Sequence, residues 1–251
     1  FLFCIIVFLY SLNLFARNPG ETEITTEDGI EVFQNEKYYL LKKNVLIVSD
    51  TFSLSGNNVK VLFNKDLYDI TSIYADGKAE LNSKTNGIKA KGKYMEIFLN
   101  NEKISIKGVG SELHLENTSM FSDGKIEVIN QNGNFYINGP NSILNSKEIN
   151  IKGENIEGQF TTSNQNKEII KLDVNDNNIS NIRTEDIDMY SNRIIYDKKN
   201  SIIELFDNVK VIRGNEIITG DYGTVDTETN YYKVKSNNSK KVKVIISENN
   251  E

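Results

Sequence analysis

The sequence predicts an all-β fold of many short antiparallel strands, and three observations carry that reading. Isoleucine occurs 32 times and alanine only 4 times in 251 residues. β-Branched side chains lose rotamer freedom in a helix and pack well on a pleated sheet, so this imbalance favours strands. Apolar residues alternate with polar ones in short runs about ten residues apart, as at Val45-Leu46-Ile47, Val59-Lys60-Val61, Ile104-Ser105-Ile106, Leu113-His114-Leu115, Ile149-Asn150-Ile151, Val209-Lys210-Val211 and Val242-Lys243-Val244. Period two is the signature of a half-buried strand. Between the runs lie dipeptides that readily adopt positive φ: Asp28-Gly29, Asp76-Gly77, Asn86-Gly87, Asp123-Gly124, Asn132-Gly133 and Asn138-Gly139. A meandering sandwich, a barrel or a solenoid all satisfy this pattern.

The chain opens FLFCIIVFLYSLNLFA, and Arg17-Asn18-Pro19-Gly20 then breaks the apolar run. Residues 1–16 read as the apolar region of an export signal, with cleavage after Ala16 as one outcome and an uncleaved inner-membrane anchor as the other. Sixteen residues fall short of the roughly 20 needed to span a bilayer. Cys4 reads as a buried signal residue, since apolar residues continue after it. Residues 17–251 contain only Pro19 and Pro140, so nothing interrupts long ladders. No linker is visible, and the Asn-rich stretch 163–181 still carries strand-like apolar residues. The expectation is a single domain over 17–251.

A gap-free internal repeat appears at an offset of 164 residues. Leu41-Lys42-Lys43-Asn44-Val45-Leu46-Ile47 falls on Leu205-Phe206-Asp207-Asn208-Val209-Lys210-Val211, and Leu54-Ser55-Gly56 falls on Ile218-Thr219-Gly220. Such a unit cannot bury its apolar face without stacked neighbours. Gly56 and Gly220 read as places where the strand bends and a side chain would clash.

Composition excludes several chemistries. One Cys and one His leave no disulfide framework, no paired-Cys zinc site and no His pair. A net charge of −6 argues against nucleic acid. Asp186-Ile187-Asp188 places two carboxylates on one strand face, but a solvent-facing strand explains them, and His114 points away from Leu113 and Leu115 as a surface residue. With no GxSxG elbow or phosphate-binding glycine loop, neither enzymatic activity nor a cofactor or metal is expected. Six lysines, at 84, 89, 91, 93, 103 and 107, form a second basic region. They read as a contact for lipid phosphates at a groove mouth or, more simply, as a solvated strand face.

The run DNVKVIRGNEIITGDYGTVDTETNYYKV at 207–234, with RIIYDKKNSIIEL upstream, resembles the OstA-like (LptA) family of periplasmic lipopolysaccharide-transport bridge proteins. DGIEVFQNEKYYLLKKNVLIVSDTFSLSG at 28–56 resembles that domain's opening motif. The resemblance implies an elongated, twisted β-jellyroll or two-sheet sandwich with a greasy groove. It also implies a non-catalytic carrier that passes lipopolysaccharide from inner to outer membrane. Expected partners are the lipid A acyl chains, related jellyrolls of the two membrane complexes, and a head-to-tail copy of the chain itself. The inward columns of the repeat are the expected lining: Val45, Ile47, Leu54, Val61, Val209, Val211, Ile218 and Val225. A closed core would use the same residues. The alternatives are an inner-membrane-anchored jellyroll of the LptC type and a solenoid that acts on or adheres to glycans. Six acids between residues 21 and 36, and five lysines between 233 and 243, give the two ends opposite signs. The pairing of one end with the other by strand addition is the expected consequence, with KKVKVII at 240–246 as the edge. Protection of that edge by its own lysines is the competing explanation.

Overall fold

The computed structural model describes residues 18–65, 69–85, 87–161, 167–237 and 241–247. The expected export signal at 1–16 lies outside them. Twenty strands and one short 3₁₀ turn make up the fold. The first half contains β1 Glu23–Thr25, β2 Ile30–Phe33, β3 Tyr38–Val48, β4 Phe52–Phe63, β5 Ile70–Ser83, β6 Ile88–Phe98, β7 Lys103–Lys107, β8 Ser111–Leu115, β9 Thr118–Ser122 and β10 Lys125–Ile129. The second half contains β11 Asn134–Asn138, β12 Ile143–Ser146, β13 Asn150–Lys152, β14 Asn155–Phe160, β15 Ile169–Arg183, β16 Asp188–Asp197, the 3₁₀ turn Lys198–Asn200, β17 Ile202–Arg213, β18 Glu216–Asp226, β19 Tyr232–Lys235 and β20 Lys243–Ile246. The protein is all-β, and every pairing is antiparallel.

Eight strands are 10 to 15 residues long, longer than the alternating runs suggested. Six of the ladders between these long strands break register in the middle, at Lys42/Val45, Ser55/Asn58, Asp76/Ala79, Asn175/Ser180, Tyr190/Arg193 and Phe206/Val209. A bulge bends a strand and increases its twist, so each long strand turns a corner and contributes two short pairing segments. The corner interrupts the alternation, which is why one strand reads as two runs in the sequence.

The pairings resolve into two stacks of fourteen segments that share this corner. One begins with β1 on the Leu46-Ile47-Val48 half of β3, passes through β8, β9, β12 and β13, and ends with β20 on the start of β18. The other begins with β2 on the Tyr38–Leu41 half of β3, passes through β7, β10, β11 and β14, and ends with β19 on the second half of β18. We refer to them as the first and second sheets. This is the expected twisted two-sheet sandwich. The edges opposite the corner are two rims of turns, one from each sheet.

The corner is a seam of polar side chains and positive-φ residues. Lys43 and Asn44 have φ of 66° and 52°, and their repeat partners Asp207 and Asn208 have 61° and 53°. Short amide side chains satisfy the backbone there and tolerate αL. Asn208 Nδ2 donates to Asn192 Oδ1 at 2.7 Å, and Asn141 Nδ2 donates to Asp123 Oδ2 at 2.6 Å. Farther along, Asn177 Nδ2 donates to Glu154 Oε2 at 3.2 Å.

The 164-residue repeat is also a repeat of register. Val45 pairs with Gly56 and Ile47 with Leu54, just as Val209 pairs with Gly220 and Val211 with Ile218. Both glycines lie where the next strand crosses the corner. A Cβ on Gly220 would come within 2.6 Å of Lys235 O, and one on Gly56 within 3.1 Å of Asp76 O.

Candidate functional site

The most extensive feature of the interior is a set of apolar columns that run across every strand of each sheet. In the first sheet one column starts at Ile24, continues Ile47, Leu54 and Leu81, and reaches Met189, Val211, Ile218 and Val244 at the far edge. In the second sheet one column starts at Ile30, Leu41 and Val59 and ends at Leu205, Gly223 and Val234. A third starts at Val32, Tyr39 and Val61 and ends at Ile203, Val225 and Tyr232. Each column crosses fourteen strand segments with no charged residue, and backbone polar groups along it are satisfied in the ladders.

Seven of the eight residues expected to line a groove are buried: Val45, Ile47, Leu54, Val61, Val209, Val211 and Val225 are 0–5% exposed. Ile218 is half-buried. All eight lie on these columns or, for Val45 and Val209, on the adjoining corner segment. In the structure as it stands, facing side chains of the two sheets fill the space between them. Two surface hollows lie at the corner, around Gly56 and Gly220, outside that space.

Among the described residues no strand covers the ends of the columns. Ile30 and Val32 on β2 are each 48% exposed, and Val244 on β20 is 50% exposed. The outer sides of β1, β2, β19 and β20 carry no strand among the described residues. Of the acids at the first edge, Glu31 is held by Lys42 at 2.5 Å and Glu27 by Lys43 at 3.2 Å. The Asn44 amide and Lys43 keep the Glu27 carboxyl below its usual range. Lys233, Lys235, Lys241 and Lys243 are exposed at the second edge, and Lys240 lies outside the described residues.

The rim opposite the corner differs between the two halves. In the first half the inward side chains on the rims are apolar: Phe52 and Ile88 from one sheet, and Phe63, Ile70 and Ile97 from the other. In the second half, polar groups meet across the rims. Lys198 Nζ donates to both carboxylate oxygens of Glu148 at 2.9 Å and also lies 3.3 Å from Glu168. Burial works against the Lys198 charge, but the two carboxylates outweigh it and hold its pKa above the ordinary lysine value. Asn230 Nδ2 donates to Asp186 Oδ2 at 3.4 Å, and the Tyr232 hydroxyl donates to Glu216. No sequence signal pointed to these pairs, because Glu148 and Lys198 are far apart in the chain and ordinary in composition.

The structure does not gather the six lysines of the second basic region. Lys89 and Lys91 lie on the outer face of the first sheet, with Lys91 on Glu112 at 2.8 Å. Lys93 sits beside the corner glycine Gly108. Lys103 and Lys107 lie on the outer face of the second sheet, on Glu127 at 3.1 Å and Glu96 at 2.8 Å. Strand alternation and the corner disperse them. His114 is at the surface, 3.5 Å from Glu112 and edge-on to Phe121. Asp188 pairs with Arg183, while Asp186 belongs to the rim. Among the described residues no three His, Cys, Asp or Glu side chains gather as a metal site.

Among the described residues these features define a class: a two-sheet β-sandwich whose apolar interior runs from one edge strand to the other. Residues 126–231 match the family model for the LptA/(LptD N-terminal domain) LPS transport protein, a stretch that takes in most of the sequence motif at 207–234. The matched segment runs from β10 through β18. Among solved structures, the chain is similar to LptH, the LptA-homologous periplasmic component of the lipopolysaccharide transport device of Pseudomonas aeruginosa. That similarity has 10% identity and a TM-score of 0.23, and it covers 91% of this chain and 96% of that one. A search of curated protein sequences finds no match.

Proposed function

We propose that residues 17–251 act as one domain, a periplasmic carrier that forms part of a bridge for lipopolysaccharide between the inner and outer membranes. The observation that carries this reading is the set of apolar columns that together cross all the described strands and present exposed apolar residues at each edge, Ile30 and Val32 at one and Val244 at the other. Transfer of a CH₂ group out of water is worth about 0.8 kcal/mol, so one acyl chain of roughly twelve carbons represents about 10 kcal/mol that a carrier must supply by keeping it dry. Columns of Ile, Val and Leu along the sheets offer such an environment, and the lining comprises Val45, Ile47, Leu54, Val61, Val209, Val211, Ile218 and Val225. Acyl chains enter by spreading the two sheets at the rim, where Phe52, Ile70 and Ile88 are only half-buried. The description of the family matched at 126–231 supports the same substrate.

The exposed edges support assembly. β2 and β20 each present backbone groups and apolar side chains to a further strand, and charge of opposite sign orients the approach. A second copy, or a related jellyroll of a membrane complex, continues the columns across the junction. The role requires no catalysis and no cofactor.

Binding is tested by displacement. The purified protein should take up pyrene-labelled dodecanoic acid, and lipopolysaccharide should compete it away. Failure of the native protein to bind the probe, or of lipopolysaccharide to displace it, overturns the carrier reading.

A further inference from the structure

Among the described residues, specific side-chain ties cross the rim of the sandwich in its second half. Glu148 lies in the turn between β12 and β13 of the first sheet, and Lys198 lies in the 3₁₀ turn between β16 and β17 of the second. Asp186 precedes β16 on the first sheet's rim, and Asn230 precedes β19 on the second's. Glu216 opens β18 in the first sheet, and Tyr232 opens β19 in the second. All three contacts therefore join one sheet to the other on the side away from the corner. Ile149, next to Glu148 of the first tie, and Ile187, next to Asp186 of the second, are both buried, so the ties adjoin the apolar interior.

The repeat makes the asymmetry plain. Glu216 occupies the position that Phe52 occupies one unit earlier, since 216 − 164 = 52, and Arg213 in the same way replaces Ser49. Arg213 lies over the Tyr232 ring at 6.0 Å, which adds a cation to the same cluster. The second half keeps apolar side chains at the rim as well, Ile149, Phe160, Ile169 and Ile187, but there charge and hydrogen bonds lie over them.

We propose that these three ties are a latch: they hold the second half of the sandwich shut and confine spreading of the sheets to the first half. The inference rests on the carrier reading for its purpose, but the latch itself is a statement about the width of the rim. A partly exposed ion pair shifts an equilibrium by a factor of roughly 1.5 to 5, and two hydrogen bonds act beside it, so the three ties bias opening without forbidding it. That range suits a device that must yield when a lipid passes.

Spin labels at Lys147→Cys and Lys199→Cys, in a Cys4→Ser background, report the rim width directly, because both side chains are exposed and flank the first tie. The unaltered latch should give one narrow distance. Lys198→Glu places a third carboxylate beside Glu148 and Glu168 and should raise the longer-distance population by roughly threefold or more. Glu148→Lys added to Lys198→Glu should restore the narrow distance. If Lys198→Glu does not fold, Tyr232→Phe with the same labels, which removes only a hydroxyl, should broaden the distribution. Unchanged distances in Tyr232→Phe, and in Lys198→Glu where it folds, overturn the latch. Pyrene-dodecanoate uptake by the native protein is scored separately: absence of uptake sinks the carrier reading, whereas the distances decide the latch whether or not lipid binds.

Discussion

Val209 lies directly across the β17–β18 ladder from Gly220. Their partnership shows how this sandwich turns its corner: the valine faces the core at 1% exposure, and the glycine leaves room for the strand that crosses behind it. The same pair recurs as Val45 and Gly56 one repeat earlier, with more space around the glycine.

Gly220→Ala should therefore cost more than Gly56→Ala. The added methyl meets a carbonyl oxygen and Val234 Cγ1, each at 2.6 Å, in the first case, against 3.1 Å to a carbonyl in the second. Overpacking of this kind costs about 1–3 kcal/mol, so urea unfolding should place Gly220→Ala about 2 kcal/mol below the native protein and Gly56→Ala less than about 1 kcal/mol below it. Equal effects would show that the two corners are not packed as described.

Leu54→Ala should cost about 3 kcal/mol in the same assay, because Leu54 is fully buried in a column of the first sheet and its removal leaves a cavity. A much smaller loss would mean that the sheets already separate easily at that point.

Glu127 contributes to the acid sensitivity of the second sheet. It is 8% exposed, and burial alone would raise its pKa; Lys125 at 2.5 Å and Lys103 at 3.1 Å outweigh burial and hold it below the ordinary value of 4.5. A depressed carboxylate contributes stability that is present above its unfolded value and lost as pH falls through the folded one. Stability should therefore decline below about pH 4.5. Glu127→Gln should be less stable at neutral pH by about 1–2 kcal/mol and should flatten this decline.

Tyr222 should titrate late. Its hydroxyl donates to Glu204 Oε1 at 2.6 Å, and this bond, with some burial, pushes the phenol up to about 12. A raised phenol contributes stability that is complete below its unfolded value near 10 and is lost as pH rises toward 12. Ultraviolet absorbance of Glu204→Gln should move one tyrosine transition to lower pH; an unchanged curve would contradict the hydrogen bond.

Much of this architecture was legible in the sequence, because alternation, Asn-Gly and Asp-Gly turns and the 164-residue repeat are local signals. The repeat also returns in the ladder register, where the Val45–Gly56 pairing recurs as Val209–Gly220. Strand length was not legible: at Lys43-Asn44 and Asp207-Asn208 the alternation fails, and one bent strand reads as two. The rim ties were not legible either, because Glu148 meets Lys198 only through the crossing of two sheets. The six lysines near residues 84–107 looked like one patch for the same reason, before the corner divided them.

The central claim is that the inward columns meet hydrocarbon. Its most direct test is a photoreactive aliphatic residue at Val209, with a second at Lys210 on the opposite strand face, each irradiated with lipopolysaccharide bound. Lipid adducts at Val209 and none at Lys210 are the predicted result. Equal labelling at the two positions, or none at Val209 while lipopolysaccharide stays bound, would contradict the account.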